Sequence, residues 1–174
     1  MNKLDYLFEA IEVTPKNKEP YLSALTHPSC NANGRSKHQD YDRLEFMGDA
    51  ILDFVVADIA FKFHPDYEEG KLSKLRSNIV QRTSLANYAR SIHLEEYIHA
   101  NKSFTVEVLR ESDKILEDVF EAGVKCSAKT MYPDWLSLSG EGYVAEMYQK
   151  YKRVVCPMGC RAFLSPWYER GFVE

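Results

Sequence analysis

The chain has 174 residues, 45% of them apolar and 28% charged, with a net charge of −4. That balance suits one soluble globular domain with a small appendage. No apolar run is long enough to span a membrane, and the net negative charge, taken alone, argues against a nucleic-acid partner.

The opening Met1-Asn2-Lys3-Leu4-Asp5 shows no signal-peptide pattern, so the expected location is cytoplasmic. Residues Asn2 to Glu12 place Leu4, Leu7, Phe8 and Ile11 on one stripe, which predicts an amphipathic helix that Thr14-Pro15 ends. A second short helix is expected from Glu19 to Thr26, stopping at His27-Pro28, because the residue before proline disfavours the α region. His27 reads as a structural histidine near a turn. Cys30 to Tyr41 is polar and reads as an exposed, solvated loop carrying Lys37 and His38.

Residues Arg43 to Ala60 contain no proline and one glycine. Leu44, Met47, Ile51, Leu52, Phe54, Val55, Val56 and Ile59 run almost all round a helix, which predicts burial in the middle of a domain. Glu45 and Asp49 lie four apart and so share a face. A buried carboxylate needs a partner or a metal; a structural partner such as arginine satisfies this stretch as well as a metal does. The helix is expected to end near His64-Pro65-Asp66.

Glu68-Glu69-Gly70 leads into a further helix. Between Gly70 and Leu94 stand Lys71, Lys74, Arg76, Arg82 and Arg90 without an acid. Lys71, Lys74, Asn78 and Arg82 are predicted to fall on one helical stripe, opposite Leu72, Leu75 and Ile79. Ser84 to Ile92 continues helical, while Ile98 to Glu111 is less regular. Ser112 is a candidate N-cap for a helix bearing Asp118 and Glu121, three apart and on one face. Two helices with a carboxylate pair each can form a four-acid cluster, and four carboxylates cannot stay ionised together without cations. Oxygen-only ligands suit magnesium or manganese. The chemistry such a cluster serves is metal-assisted phosphoryl transfer. Beside it, the basic stripe of Lys71, Lys74, Arg76 and Arg82 becomes a candidate phosphate-contacting face as well as a plain solvated one.

Arg43-Leu44-Glu45-Phe46-Met47-Gly48-Asp49-Ala50 resembles the signature of the ribonuclease III family. So do Leu25-Thr26-His27-Pro28-Ser29, Glu69-Gly70-Lys71-Leu72-Ser73-Lys74-Leu75-Arg76 and Asp118-Val119-Phe120-Glu121-Ala122, in family order and at family-like spacing. The resemblance covers about Tyr21 to Ala122. It implies an all-α endonuclease domain that works as a homodimer and cuts double-stranded RNA with magnesium, leaving 5′-phosphate and 3′-hydroxyl ends, in the processing of RNA precursors. It implies Glu45, Asp49, Asp118 and Glu121 as the metal-binding catalytic set, supporting roles for Asp42 and Glu69, and a subunit interface at Phe46. The rival readings are a catalytically silent RNA-binding relative of the ribosome-associated kind, and a structural helical module whose acids pair with Arg43, Arg110 and lysines.

After Ala122 the resemblance stops. Residues 1–122 carry a net charge of −6 and residues 123–174 one of +2, and the latter hold three of the four cysteines, both tryptophans and five of the eight glycines. They read as a divergent segment with no recognisable double-stranded-RNA-binding domain, diverged or altered by a frameshift. Val144 to Val155 could form one amphipathic helix. The cysteines Cys30, Cys126, Cys156 and Cys160 offer only one short spacing, so zinc is not expected and reduced thiols are.

Overall fold

The computed structural model describes residues 3–11, 13–31 and 39–131, with side chains as far as 127. Lys37, His38, the expected helix of Val144 to Val155, Cys156 and Cys160 lie outside the described residues. Among the described residues there are seven α-helices: α1 (Lys3–Ala10), α2 (Glu19–Ala24), α3 (Asp42–Phe63), α4 (Glu69–Val80), α5 (Arg82–Ser91), α6 (Val106–Glu111) and α7 (Asp113–Met131). Single 3₁₀ turns lie at Pro28–Cys30 and Leu94–Tyr97. Among the described residues the only β feature is a bridge between Thr26 and His99, so the fold class is all-α as expected. None of these helices is long and apolar enough to cross a membrane.

The chain divides into two compact units, residues 17–126 and residues 1–16 with 127–174. In the second, α1 buries Leu4, Leu7 and Phe8, the stripe its spacing predicted. The first carries the site. Its long helix α3 starts where the Tyr41 carbonyl accepts the amides of Leu44 and Glu45, each at 2.8 Å, and ends at His64 before Pro65. It buries Gly48, Ile51, Leu52, Val55, Val56 and Ala60 and packs along α4. The expectation of all-round burial is corrected here. Phe46 is 74% exposed, and Met47, Phe54, Phe61 and Phe63 also face outward. One side of α3 meets α4 and the core, and its other side carries these partly or largely exposed side chains.

The basic stripe is also corrected. The helix expected to run past Arg82 breaks at Gln81, whose extended backbone (φ −64°, ψ 147°) ends α4 and opens α5. The Asn78 carbonyl accepts the Gln81 side-chain amide and the Ser84 hydroxyl, each at 2.9 Å, and so satisfies an orphan group at the break. Arg82 therefore stands on a different helix from Lys71 and Lys74. Beyond α5, the stretch expected to be irregular contains α6, capped by Thr105 accepting the Val108 amide.

Ser112 caps α7 as expected, its hydroxyl accepting the Ile115 amide at 3.4 Å. Leu116, Val119 and Phe120 of α7 are buried. The helix does not stop where the resemblance does. It runs through Gly123 with Val124 and Cys126 buried, and the Cys126 thiol donates to the Pro20 carbonyl at 3.2 Å. Neither Cys30 nor Cys126 is in a disulfide among the described residues.

Where α3 crosses α7 the approach is backbone on backbone. A Cβ placed on Gly48 of α3 would overlap the carbonyl group of Glu121 on α7. Gly48→Ala must therefore push the two helices apart, at a cost of about 3 kcal/mol, the upper end of overpacking effects. Gly70, in the first turn of α4, has nothing within 4 Å of such a Cβ, so Gly70→Ala should be neutral or stabilise by about 0.5–1 kcal/mol through helix propensity. Thermal melting of the two variants checks the contrast; equal melting temperatures would contradict the close crossing.

Candidate metal centre

The Gly48–Glu121 crossing brings the acids of α3 and α7 together. Glu45, Asp118 and Glu121 each place a carboxylate oxygen within 4.8 Å of the other two. Asp118 and Glu121 are each 5% exposed, and Glu45 is half-buried. Asp49, one turn beyond Glu45, is exposed and stands outside this group of three. It is still felt there: burial, then the charges of Asp49, Glu117, Glu45 and Asp118, push the Glu121 carboxyl up to about 8. Desolvation and Asp118 also raise Glu45, with Lys114 acting against them. Asp42, exposed in the first turn of α3, is raised by partial desolvation, Asp40 and Asp118.

Two residues not singled out from sequence hold Asp118. The Lys114 ammonium donates to both of its oxygens, at 3.0 and 2.9 Å. The buried Tyr41 hydroxyl is hydrogen-bonded to the same carboxylate, and burial and the Asp118 charge hold that phenol well above its usual range. The Lys114–Asp118 spacing of four on one helix was a usable signal; nothing in the sequence pointed to Tyr41, which reaches Asp118 across 77 positions.

The Thr26-His27-Pro28-Ser29 motif explains how Tyr41 is seated. The Tyr41 amide donates to the Thr26 carbonyl at 3.2 Å, and its ring meets His27 edge-on at 5.8 Å. His27 is fixed in turn by Phe104 at 4.5 Å and by the Ser29 amide, which donates to Nδ1 at 3.0 Å. Burial lowers the His27 pKa, in keeping with a neutral ring that accepts at Nδ1. His27 is thus structural, as the sequence suggested.

The other expected residues do not join this group of three. Glu69, in the first turn of α4, accepts from the Ser73 hydroxyl at 2.8 Å. Lys74 is exposed, and Lys71 stands over the Tyr67 ring at 5.5 Å. Arg76 approaches Asp53 at 3.8 Å and Arg82 pairs with Glu117 at 2.6 Å. Arg110, considered as a partner for the site acids, instead approaches the buried Glu95 at 3.7 Å.

Three converging carboxylates face one contacting ammonium, and one of them is driven to bind a proton near neutral pH. An oxygen-only, negatively unbalanced donor set of this kind fits a hard divalent cation.

Residues 17–124 match the Ribonuclease-III-like family. Curated relatives named Ribonuclease 3 include those of Leuconostoc mesenteroides, 35% identical over 67% of this chain and 50% of that protein, and Caldanaerobacter subterraneus, 40% identical over 68% and 52%. That of Francisella philomiragia is 44% identical over 67% and 47%. The chain thus spans about half the length of the curated relatives it matches. Among solved structures it is similar to two of the nuclease domain of ribonuclease III from Campylobacter jejuni, at TM-scores of 0.69 and 0.68 and identities of 27% and 28%. The alignments cover 88% and 89% of this chain, and 96% and 95% of those. One of them concerns structural flexibility in the region involved in dimer formation of that domain.

Glu121 also sets a pH dependence. Its folded pKa of about 8 lies above the ordinary 4.5, so its protonated form stabilises the fold below about pH 4.5 and that contribution is lost as pH rises through about 8. With a chelator present, the parent should lose stability over this window relative to Glu121→Gln, in which the amide mimics the protonated acid. Melting curves of both across pH 4–9 check this; parallel profiles would contradict it.

Proposed function

Since the chain belongs to the Ribonuclease-III-like family, we propose that it is an endoribonuclease that cleaves double-stranded RNA with a divalent cation, magnesium or manganese. The observation that carries this reading is the convergence of Glu45, Asp118 and Glu121 from two helices. A cation bound there supplies Lewis acidity and charge neutralisation at the phosphodiester and an activated water. Glu45, Asp118 and Glu121 would hold it, and the exposed Asp49 would complete the set from the next turn of α3. Tyr41 and Gly48 fix the spacing of the two acid-bearing helices. Asp42 and Glu69 support from the first turns of α3 and α4. The products are 5′-phosphate and 3′-hydroxyl ends, and the substrates duplex regions of RNA precursors.

The exposed ammonium groups of Lys71 and Lys74 on α4 provide phosphate contacts, with Arg76 and Arg82 contributing beside their acidic partners. Contacts of this sort read duplex shape and backbone and need no base sequence. The outward face of α3 takes a second copy of the chain. Phe46, Phe54 and Phe61 recur at helical spacing along it, and in a two-fold interface such a stripe meets itself, so each residue acts twice, once from each subunit.

Two measurements test these readings. Glu121→Gln should keep the fold and lose cleavage of a long RNA duplex at least about a hundredfold, since even groups behind metal ligands are worth about 10–100-fold. Parent-like cleavage by the variant at every magnesium concentration would remove Glu121 from the site. Phe46→Ala should shift sedimentation at micromolar concentration from dimer toward monomer; a parent that is itself monomeric there would contradict the interface.

A further inference from the structure

Lys114 carries a consequence for the strength of metal binding. Its ammonium sits on both oxygens of Asp118 at 3.0 and 2.9 Å and lies close enough to Glu45 to feel its charge. These are carboxylates that the proposed cation would use. A divalent cation approaching Asp118 must share an oxygen with a fixed positive charge or move it aside, and either lowers its affinity. The lysine can move: its side chain is 65% exposed and its stem has four rotatable bonds. The same carboxylate also has the Tyr41 hydroxyl, from the start of α3, beside it. The neighbouring Glu117 is already matched by Arg82 at 2.6 Å, so no second acid on that turn competes for the ammonium.

We propose that Lys114 is a built-in competitor for the metal: an internal cation on Asp118 that weakens divalent-cation binding and is displaced when the ion enters. This rests on the reading of Glu45, Asp118 and Glu121 as a divalent-cation site. The role is regulatory of affinity and distinct from metal ligation, which the ammonium cannot perform.

Calorimetric titration of magnesium into the parent and into Lys114→Met tests it at one pH and ionic strength. Met keeps the stem and removes the charge. The variant should bind magnesium about three- to tenfold more tightly, the range expected for a close but solvent-screened charge, and should melt at a lower temperature than the parent in chelator. Equal or weaker binding by a folded variant would overturn the proposal while leaving the metal site standing. Failure of the parent to bind magnesium at all would overturn the site itself, and the proposal with it. A measurement on the parent alone covers the case in which the variant does not fold. Acylation of Lys114 by an amine-reactive ester, followed by mass spectrometry, should rise on adding magnesium as the ammonium leaves Asp118. Unchanged acylation at saturating magnesium would overturn the proposal.

Discussion

Two helices can share a cluster of carboxylates only if their backbones come close enough for short acidic side chains to meet, and here the closeness is set at one point. Gly48 of α3 lies against the Glu121 carbonyl of α7, with no room for a side chain. Glu45 and Asp49 flank Gly48 along α3, and Asp118 lies one turn before Glu121 on α7. The glycine between the acids of the motif is thus a distance constraint on the chemistry. Tyr41 adds a second tie, from the start of α3 to Asp118, and the His27 turn holds Tyr41 in place. Three separated stretches of sequence serve one geometric end.

The electrostatics follow from that packing. Acids brought into a buried crossing repel one another, and the cluster answers in two visible ways. Glu121 is driven toward the protonated form, and Lys114 lies on Asp118. Both are local substitutes for positive charge. Acids crowded in this way cost stability in the absence of a cation.

Much of this was legible in the sequence because it rests on short-range patterns. The acid-bearing helices, the Ser112 cap and the pairing of acids on one face follow from periodicity and capping chemistry. Other features depend on tertiary structure and left little trace. The break at Gln81 has neither proline nor glycine and is held by side-chain bonds to the Asn78 carbonyl, so periodicity alone carries Arg82 onto the helix of Lys71 and Lys74. The short α6 lacks the length to show a period. The all-round apolar surface of α3 could mean burial within one chain or cover from a second one, and periodicity alone does not separate the two; the exposure of Phe46, Phe54 and Phe61 rules out full burial within the described residues. The contact of Tyr41 with Asp118 joins residues far apart in sequence, and no local rule reaches that distance.

The central claim is that acids from α3 and α7 form one metal-binding centre. The most direct measurement is anomalous scattering from crystals of the protein soaked in manganese. The account predicts a peak enclosed by Glu45, Asp118 and Glu121, lost in crystals of Glu121→Gln at the same manganese concentration. A parent crystal with no peak there, or with manganese bound only elsewhere, would contradict it.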